Sequence, residues 1–292
     1  MSYTTLWGMI VQAQGSTLER AEMILARLTG NASLLGANLI MADLRWAQMA
    51  GANFREAQLT GADLHQAQLD GADLRLALLQ QANLTRAQMR DVILGGTQMQ
   101  GSNLAGANMQ GARLNNTQLQ EANLAGAQMR RTKLNGVRMQ KTRLSGAQLQ
   151  EATLYGTLLS GSPGLPNRLF HTNFSWSKNV FGALRFIDLR SAVFSHNSDW
   201  RNIFLDGTTR YSPYFANRMG TPCQWTKQIL SDEEFFGRWR GWTEASPRFL
   251  SGIVDYWTLY GPKEWRHVTP IPPPEGCKWK TGPMPVWHYG GR

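Results

Sequence analysis

Residues able to carry out chemistry are few and widely spaced. The five histidines, His65, His171, His196, His267 and His288, are scattered over 292 residues. His196 and Asp199 stand three apart and could pair, but a pair without a nucleophile or a third ligand makes no catalytic site. Glu233 and Glu234 follow Ser231-Asp232 at an expected helix start, where carboxylates meet the positive end of the dipole. Cys223 and Cys277 are too few for a cysteine zinc site or a disulfide framework. Both are followed two residues later by Trp, and a single bridge between them would need an oxidising compartment; two small intracellular thiols is the simpler reading. This inventory points away from an enzyme and calls for no metal and no cofactor.

The elements that must position whatever the protein does use are set by a five-residue period. Every fifth residue from Leu34 to Leu159 is Leu, Met or Phe, and two places before each stands a small residue, Ala in most units. An α-helix would smear such a pattern around its circumference, and a straight strand would send successive marked residues to opposite faces. The geometry left is a chain that bends once per pentad, with the marked residue and the small residue before it both pointing inward. Repeating the bend closes a coil with Leu inside, each contributing about 1.5–3 kcal/mol by burial before chain entropy is subtracted. Gly recurs at the last place of many pentads, where a tight turn favours it, so no glycine here reads as a phosphate loop.

Units such as Ala37-Asn38-Leu39, Ala42-Asp43-Leu44, Ala62-Asp63-Leu64 and Ala122-Asn123-Leu124 resemble the pentapeptide-repeat family, written A(D/N)LXX. The resemblance implies an all-β solenoid: a right-handed quadrilateral β-helix with four pentads per coil, so that residues 20 apart stack. On that register one interior column is all Leu (Leu44, Leu64, Leu84, Leu104, Leu124, Leu144), and another is rich in Met (Met49, Met89, Met109, Met129). The Met column reads as core filling rather than a metal or redox feature.

Taken in order, residues 1–31 form an N-terminal segment in which Ser16-Thr17-Leu18-Glu19 reads as a capping box, followed by a short amphipathic helix able to cover the first coil. Residues 32–161 are the regular array. Residues 162–206 are a loop and about two degenerate coils keeping the spacing at Leu169, Phe174, Leu184, Leu189, Phe194 and Phe204, with a bulge expected at Asp199 that turns Trp200 inward. That makes about eight to nine coils. Residues 207–292 are a Trp- and Pro-rich cap region. In it Ser231 opens a helix with Phe235, Trp239 and Trp242 on one face, and Ser246-Pro247 opens a second that stops at Gly261-Pro262. No apolar run is long enough to span a membrane and no secretory leader is evident, so a cytoplasmic protein is expected.

The net charge is +10, and its sign changes along the array. Asp43, Asp63, Asp70, Asp73 and Asp91 lie early, whereas Arg130, Arg131, Lys133, Arg138, Lys141 and Arg143 fall in 14 residues containing no acid. With Arg113 stacked one coil before Lys133, they would form a basic collar. Three functions follow. A rigid protein-interaction scaffold fits the lack of chemistry and the outward Trp46, Leu76, Leu78 and Ile93. An anionic partner, nucleic acid or a membrane surface, could be held by the collar together with a basic aromatic surface of Trp239, Arg240, Trp242, Lys278, Trp279 and Lys280. The family resemblance adds DNA mimicry toward DNA gyrase, protecting it from quinolones or toxins, which needs a negative rod and is disfavoured by this charge. The scaffold reading is preferred.

Overall fold

A computed structural model describes residues 33–154, 157–161, 167–168, 172, 174, 178–194, 198–212, 226–244, 265 and 267–273. The expected helices over 16–30 and 246–261, and Cys223 and Cys277, lie outside these residues.

Each pentad closes on a tight turn. The amide of Ala37 donates to the carbonyl of Leu34 at 3.0 Å, and the same bond recurs five residues on, from Ala42 to Leu39 at 3.1 Å. The third turn residue has positive φ at every fifth position from Gly36 to Glu151, as a type II turn requires. Glycine fills many of these corners, but Met41 (φ 59°), Trp46 (φ 57°) and Leu76 (φ 61°) adopt the left-handed conformation with bulky side chains.

Successive coils pair in parallel at a separation of 20 residues, as Asp43 with Asp63 and Asp63 with Asn83. The amides of Leu34 and Gly36 donate forward to Asn53 and Arg55, and that of Gln58 donates back to Ala37. Together with the turn bond, this accounts for four of the five amides in a pentad. The fifth, just after the central Leu, explains the Asp or Asn of the motif. Amides of Arg45, His65, Thr85 and Ala105 donate to the side-chain oxygens of Asp43, Asp63, Asn83 and Asn103. The motif residue supplies the acceptor that the coil geometry leaves out.

The inward Leu, Met, Phe and Ala form one continuous core, closed to solvent from Leu39 through Leu154. Thr97, Thr117, Thr142 and Thr157 replace Ala in it at no polar penalty, because each hydroxyl donates to the carbonyl of a central Leu 23 residues earlier, at 2.6–2.8 Å.

Late in the array one face becomes a continuous parallel sheet of β1 (Arg138–Gln140), β2 (Leu158–Ser160), β4 (Lys178–Arg185) and β6 (Asp199–Leu205), in that order. A second pair joins β3 (Asn167–Arg168) to β5 (Ile187–Asp188). Register shifts between β4 and β6 place Lys178 opposite Asp199 but Val180 opposite Asn202, so the irregularity expected near Asp199 is present in the backbone. Its effect downstream differs from expectation. A one-residue slip exchanges the two faces of a strand, and Leu205, not Phe204, pairs with Leu184 and enters the solenoid core. Phe204 points outward instead. The turn pattern then continues past residue 206, with Thr209 buried and Arg210 paired to Asp188.

Phe204 points outward because a helix lies there. Helix α1 (Asp232–Glu244) begins with the expected capping box: the amide of Glu234 donates to Ser231 Oγ, and the amide of Ser231 to Glu234 Oε2. Its Phe235, Phe236, Trp239 and Trp242 bury against Leu158, Ala183 and Phe204, the outward column of the sheet. Upstream the same column is Gln98, Gln118 and Arg138, so the change from polar to apolar marks where the helix docks. The segment before α1 also covers the sheet edge, with Thr226 donating to Leu205 and Gly207 to Gln228.

Candidate functional site

The basic collar is only partly a collar. Arg130 and Arg131 both reach Glu151, at 2.6 Å each, and Lys141 reaches Glu121 at 2.9 Å. These acids lie about one coil away along the axis, outside the acid-free stretch but inside its surface neighbourhood. Arg138 is half-buried and engaged. Arg113, Lys133 and Arg143 remain exposed with no ion-pair partner among the described residues. Arg113 and Lys133 are paired on adjacent rungs of one face, whereas Arg143 stacks on Asn123 on another.

The C-terminal aromatic surface is corrected more sharply. Trp239 is 1 % exposed and Trp242 3 %, both inside the helix–sheet cluster. Arg240 donates to Glu244 at 2.6 Å and to the carbonyl of Val268 at 2.8 Å, so it ties the 268–271 segment to α1. These three are packing residues, because the helix face they share covers the last strands. Lys278, Trp279 and Lys280 lie outside the described residues.

The exposed apolar side chains cluster elsewhere. Leu35, Ile40, Met41 and Trp46 are 47–73 % exposed, and all stand on three successive corners of the first described coil. Leu76 is exposed on a later corner, while Leu78 and Ile93 are half-buried. Trp46 is held rigidly: its Nε1–H donates to Gln66 Oε1 at 2.7 Å, the edge of His65 meets its ring, and the Arg45 guanidinium stacks 5.1 Å from its centroid. Beside it a groove of about 300 Å³ is lined by Trp46, Gln48, Gln66, Gln68, Arg86 and Gln88. His65 also contacts Thr85 Oγ1 at 2.6 Å through Nδ1. The sequence places Trp46 and Leu76 outward, as found, but not the exposed Leu35, Ile40 and Met41 or the groove, although the column Trp46, Gln66, Arg86 could have been read at a spacing of 20.

Charge on these faces is organised as Asp-Leu-Arg units. Arg45 clasps Asp43, Arg75 clasps Asp73 and Arg190 clasps Asp188, each across one inward Leu. The guanidinium bonds hold the carboxyls of Asp43, Asp73 and Asp188 below their ordinary range, and those of Arg131 and Arg130 do the same for Glu151. A carboxylate depressed in the folded state adds stability above its unfolded pKa of about 4, and loses it as pH falls through the lower folded value. The urea midpoint should therefore be level with respect to these groups from about pH 7 to 5 and fall below about pH 4. Because the guanidinium partners face solvent, the fall should be shallow. A midpoint that rose on acidification below that value would contradict it.

The chain is thus a parallel β-helix built of five-residue turns with Leu inside. Residues 30–161 are pentapeptide repeats: the family model for pentapeptide repeats matches there in eight copies, from residues 30–56 through 122–161. Among solved structures it is similar to HetL, a pentapeptide-repeat protein involved in heterocyst differentiation regulation from the cyanobacterium Nostoc sp. strain PCC 7120, at 29 % identity over 62 % of this chain and 83 % of that one, with a TM-score of 0.46. It is also similar to QnrB1, a plasmid-mediated fluoroquinolone resistance protein, at 22 % identity over 66 % and 88 %, with a TM-score of 0.31. A pentapeptide-repeat protein of the Arabidopsis thaliana thylakoid lumen matches at 27 % identity over 35 % and 69 %, with a TM-score of 0.29. No curated protein matches the sequence. No described helix is long and apolar enough to cross a membrane.

Proposed function

We propose that this protein is a non-catalytic scaffold, a stiff β-helix that presents fixed side chains to a partner protein. One observation carries the reading: the interior satisfies itself, yet four large apolar side chains stand exposed together on the corners of the first described coil. Exposed apolar residues so grouped mark interaction surfaces. The finer architecture belongs to the same proposal: about eight to nine coils, a capping helix within residues 16–30, and residues 207–292 covering the last coils. So does a cytoplasmic setting, supported by the presence of only two cysteines in 292 residues.

Affinity capture from native cells tests the reading. The intact chain should retain a defined protein, and a variant with Ile40→Ser, Met41→Gly and Trp46→Gly should lose it. Deleting residues 207–292 is the poorer control, because it would uncover Leu158, Ala183 and Phe204. Equal recovery by both chains would remove the first coil from the proposal. A second reading, an anionic partner, is favoured by the stacked Arg113 and Lys133. It requires heparin retention to fall when both become Gln.

A further inference from the structure

The groove beside Trp46 has a form that specifies more than a generic partner. Its outer wall is the corner column Trp46, Gln66 and Arg86; the next three residues of that column are Gly106, Gly126 and Gly146. The wall therefore stops after Arg86. Its floor edge is the ladder of Gln48, Gln68 and Gln88, which pair rung to rung. All three wall residues have positive φ (56–57°), where glycine would be relaxed, as do other bulky corners such as Met41 and Leu76.

The lining offers hydrogen bonds that it does not use itself. Gln66 accepts from Trp46, Gln48 donates to the carbonyl of Trp46, and Gln88 accepts from Asn108. Among the described residues, the Gln68 amide has no side-chain partner and the exposed Arg86 guanidinium has no ion pair. One end of the groove is thus the half-exposed Trp46 ring, with Arg45 stacked on it, and the other a cation without an ion pair, with amide groups between them.

Spacing selects the ligand. Trp46 and Arg86 are two rungs apart, roughly 9.6 Å at strand spacing. A polyproline II segment has three residues per turn at about 3.1 Å each, so residues i and i+3 share a face about 9.3 Å apart. Its backbone amides bond nothing internally and need outside partners, which glutamine side chains supply. A β-strand fits less well, since i and i+3 point to opposite faces.

We propose that this groove binds an extended, acidic segment of a partner protein in the polyproline II conformation, with an apolar residue at i against Trp46 and Asp or Glu at i+3 on Arg86. The assignment rests on the scaffold reading and gives it a partner chemistry.

The test is fluorescence anisotropy with a labelled proline-rich octapeptide carrying Leu at i and Glu at i+3. The intact protein should bind it, about tenfold more weakly after Trp46→Gly and at least fivefold more weakly after Arg86→Gln. Replacing Glu by Lys, or moving it to i+2, should remove binding. Trp46→Gly relaxes a positive-φ position, so it should leave the thermal midpoint unchanged or higher, and lost binding cannot then be unfolding. Equal binding of the Glu and Lys peptides, or affinity of either variant equal to that of the intact protein, overturns the proposal. So does heparin or a single-stranded oligonucleotide binding the groove, with the same dependence on Trp46 and Arg86, while the peptide does not. If no peptide binds but capture still depends on the first coil, this proposal falls and the scaffold stands. If the peptide binds as stated but nothing is captured, the groove stands and the scaffold falls.

Discussion

Arg185→Met is expected to lower the stability of the protein by about 3 kcal/mol or more, the range found when one partner of a buried ion pair is removed. Arg185 ends β4 with its side chain 7 % exposed. Its guanidinium donates to Asp232 at 2.5 Å and to the carbonyl of Leu230 at 2.7 Å, and it lies 3.6 Å from Asp206, whose side chain is fully buried. The same group sits 4.8 Å from the centre of the Phe235 ring and 5.0 Å from that of Phe186. One side chain thus holds the start of α1, the strand edge before it and a buried carboxylate. Methionine keeps much of the apolar contact but leaves Asp206, among the described residues, with only the Thr208 amide and hydroxyl and the Leu230 amide as donors. Urea unfolding monitored by far-ultraviolet circular dichroism measures the loss, and amide exchange should accelerate first in α1. Adding Asp206→Asn should recover part of it, since the orphaned charge is then gone. A loss under about 1 kcal/mol would show that the clasp is incidental.

Gly241→Ala gives a test by sign. In an exposed helix this change stabilises by about 0.8–1 kcal/mol. Here a Cβ on Gly241 would overlap the backbone carbonyl of Ile271, and backbone cannot swing aside as a side chain can. Overpacking costs about 1–3 kcal/mol, and a backbone clash this close belongs at the upper end, so after the helix gain the net change should be destabilising by about 2 kcal/mol. Gly237→Ala should be milder, because the nearest atoms are the Thr269 carbonyl at 2.9 Å and the movable end of Ile271 at 3.0 Å. Differential scanning calorimetry of the two variants separates the cases. A raised melting temperature for Gly241→Ala would mean that 268–271 does not rest on the helix in solution.

The repeat was legible because its information is local and redundant. A Leu every five residues, with a small residue two before it, leaves one geometry for the chain, and Ala42-Asp43-Leu44 carries the turn, the core contact and the amide acceptor in three positions. The places where sequence reading went astray are those decided by residues far apart. The acid-free run at 130–143 is a run only along the chain; Glu121 and Glu151 enter it from neighbouring coils. Phe204 keeps the five-residue spacing from Phe194, yet one slipped residue in β6 hands its place to Leu205. Trp239, Arg240 and Trp242 look like an aromatic, basic surface until the outward column Leu158, Ala183 and Phe204 is seen to be apolar. That column was readable at the 20-residue spacing only up to Leu158, because the next step is longer.

The longer step has a consequence for how such a chain can change length. From Leu159 to its partner Leu184 the interval is 25 residues instead of 20, and yet the sheet column continues unbroken. The five extra residues leave the faces unturned. Had they been wound into the coil, every later column would have advanced by a quarter turn, carrying Ala183 and Phe204 away from α1. Phase, then, and not length, is what the solenoid protects: whole coils leave the columns in register, whereas a single extra pentad does so only where it adds no quarter turn.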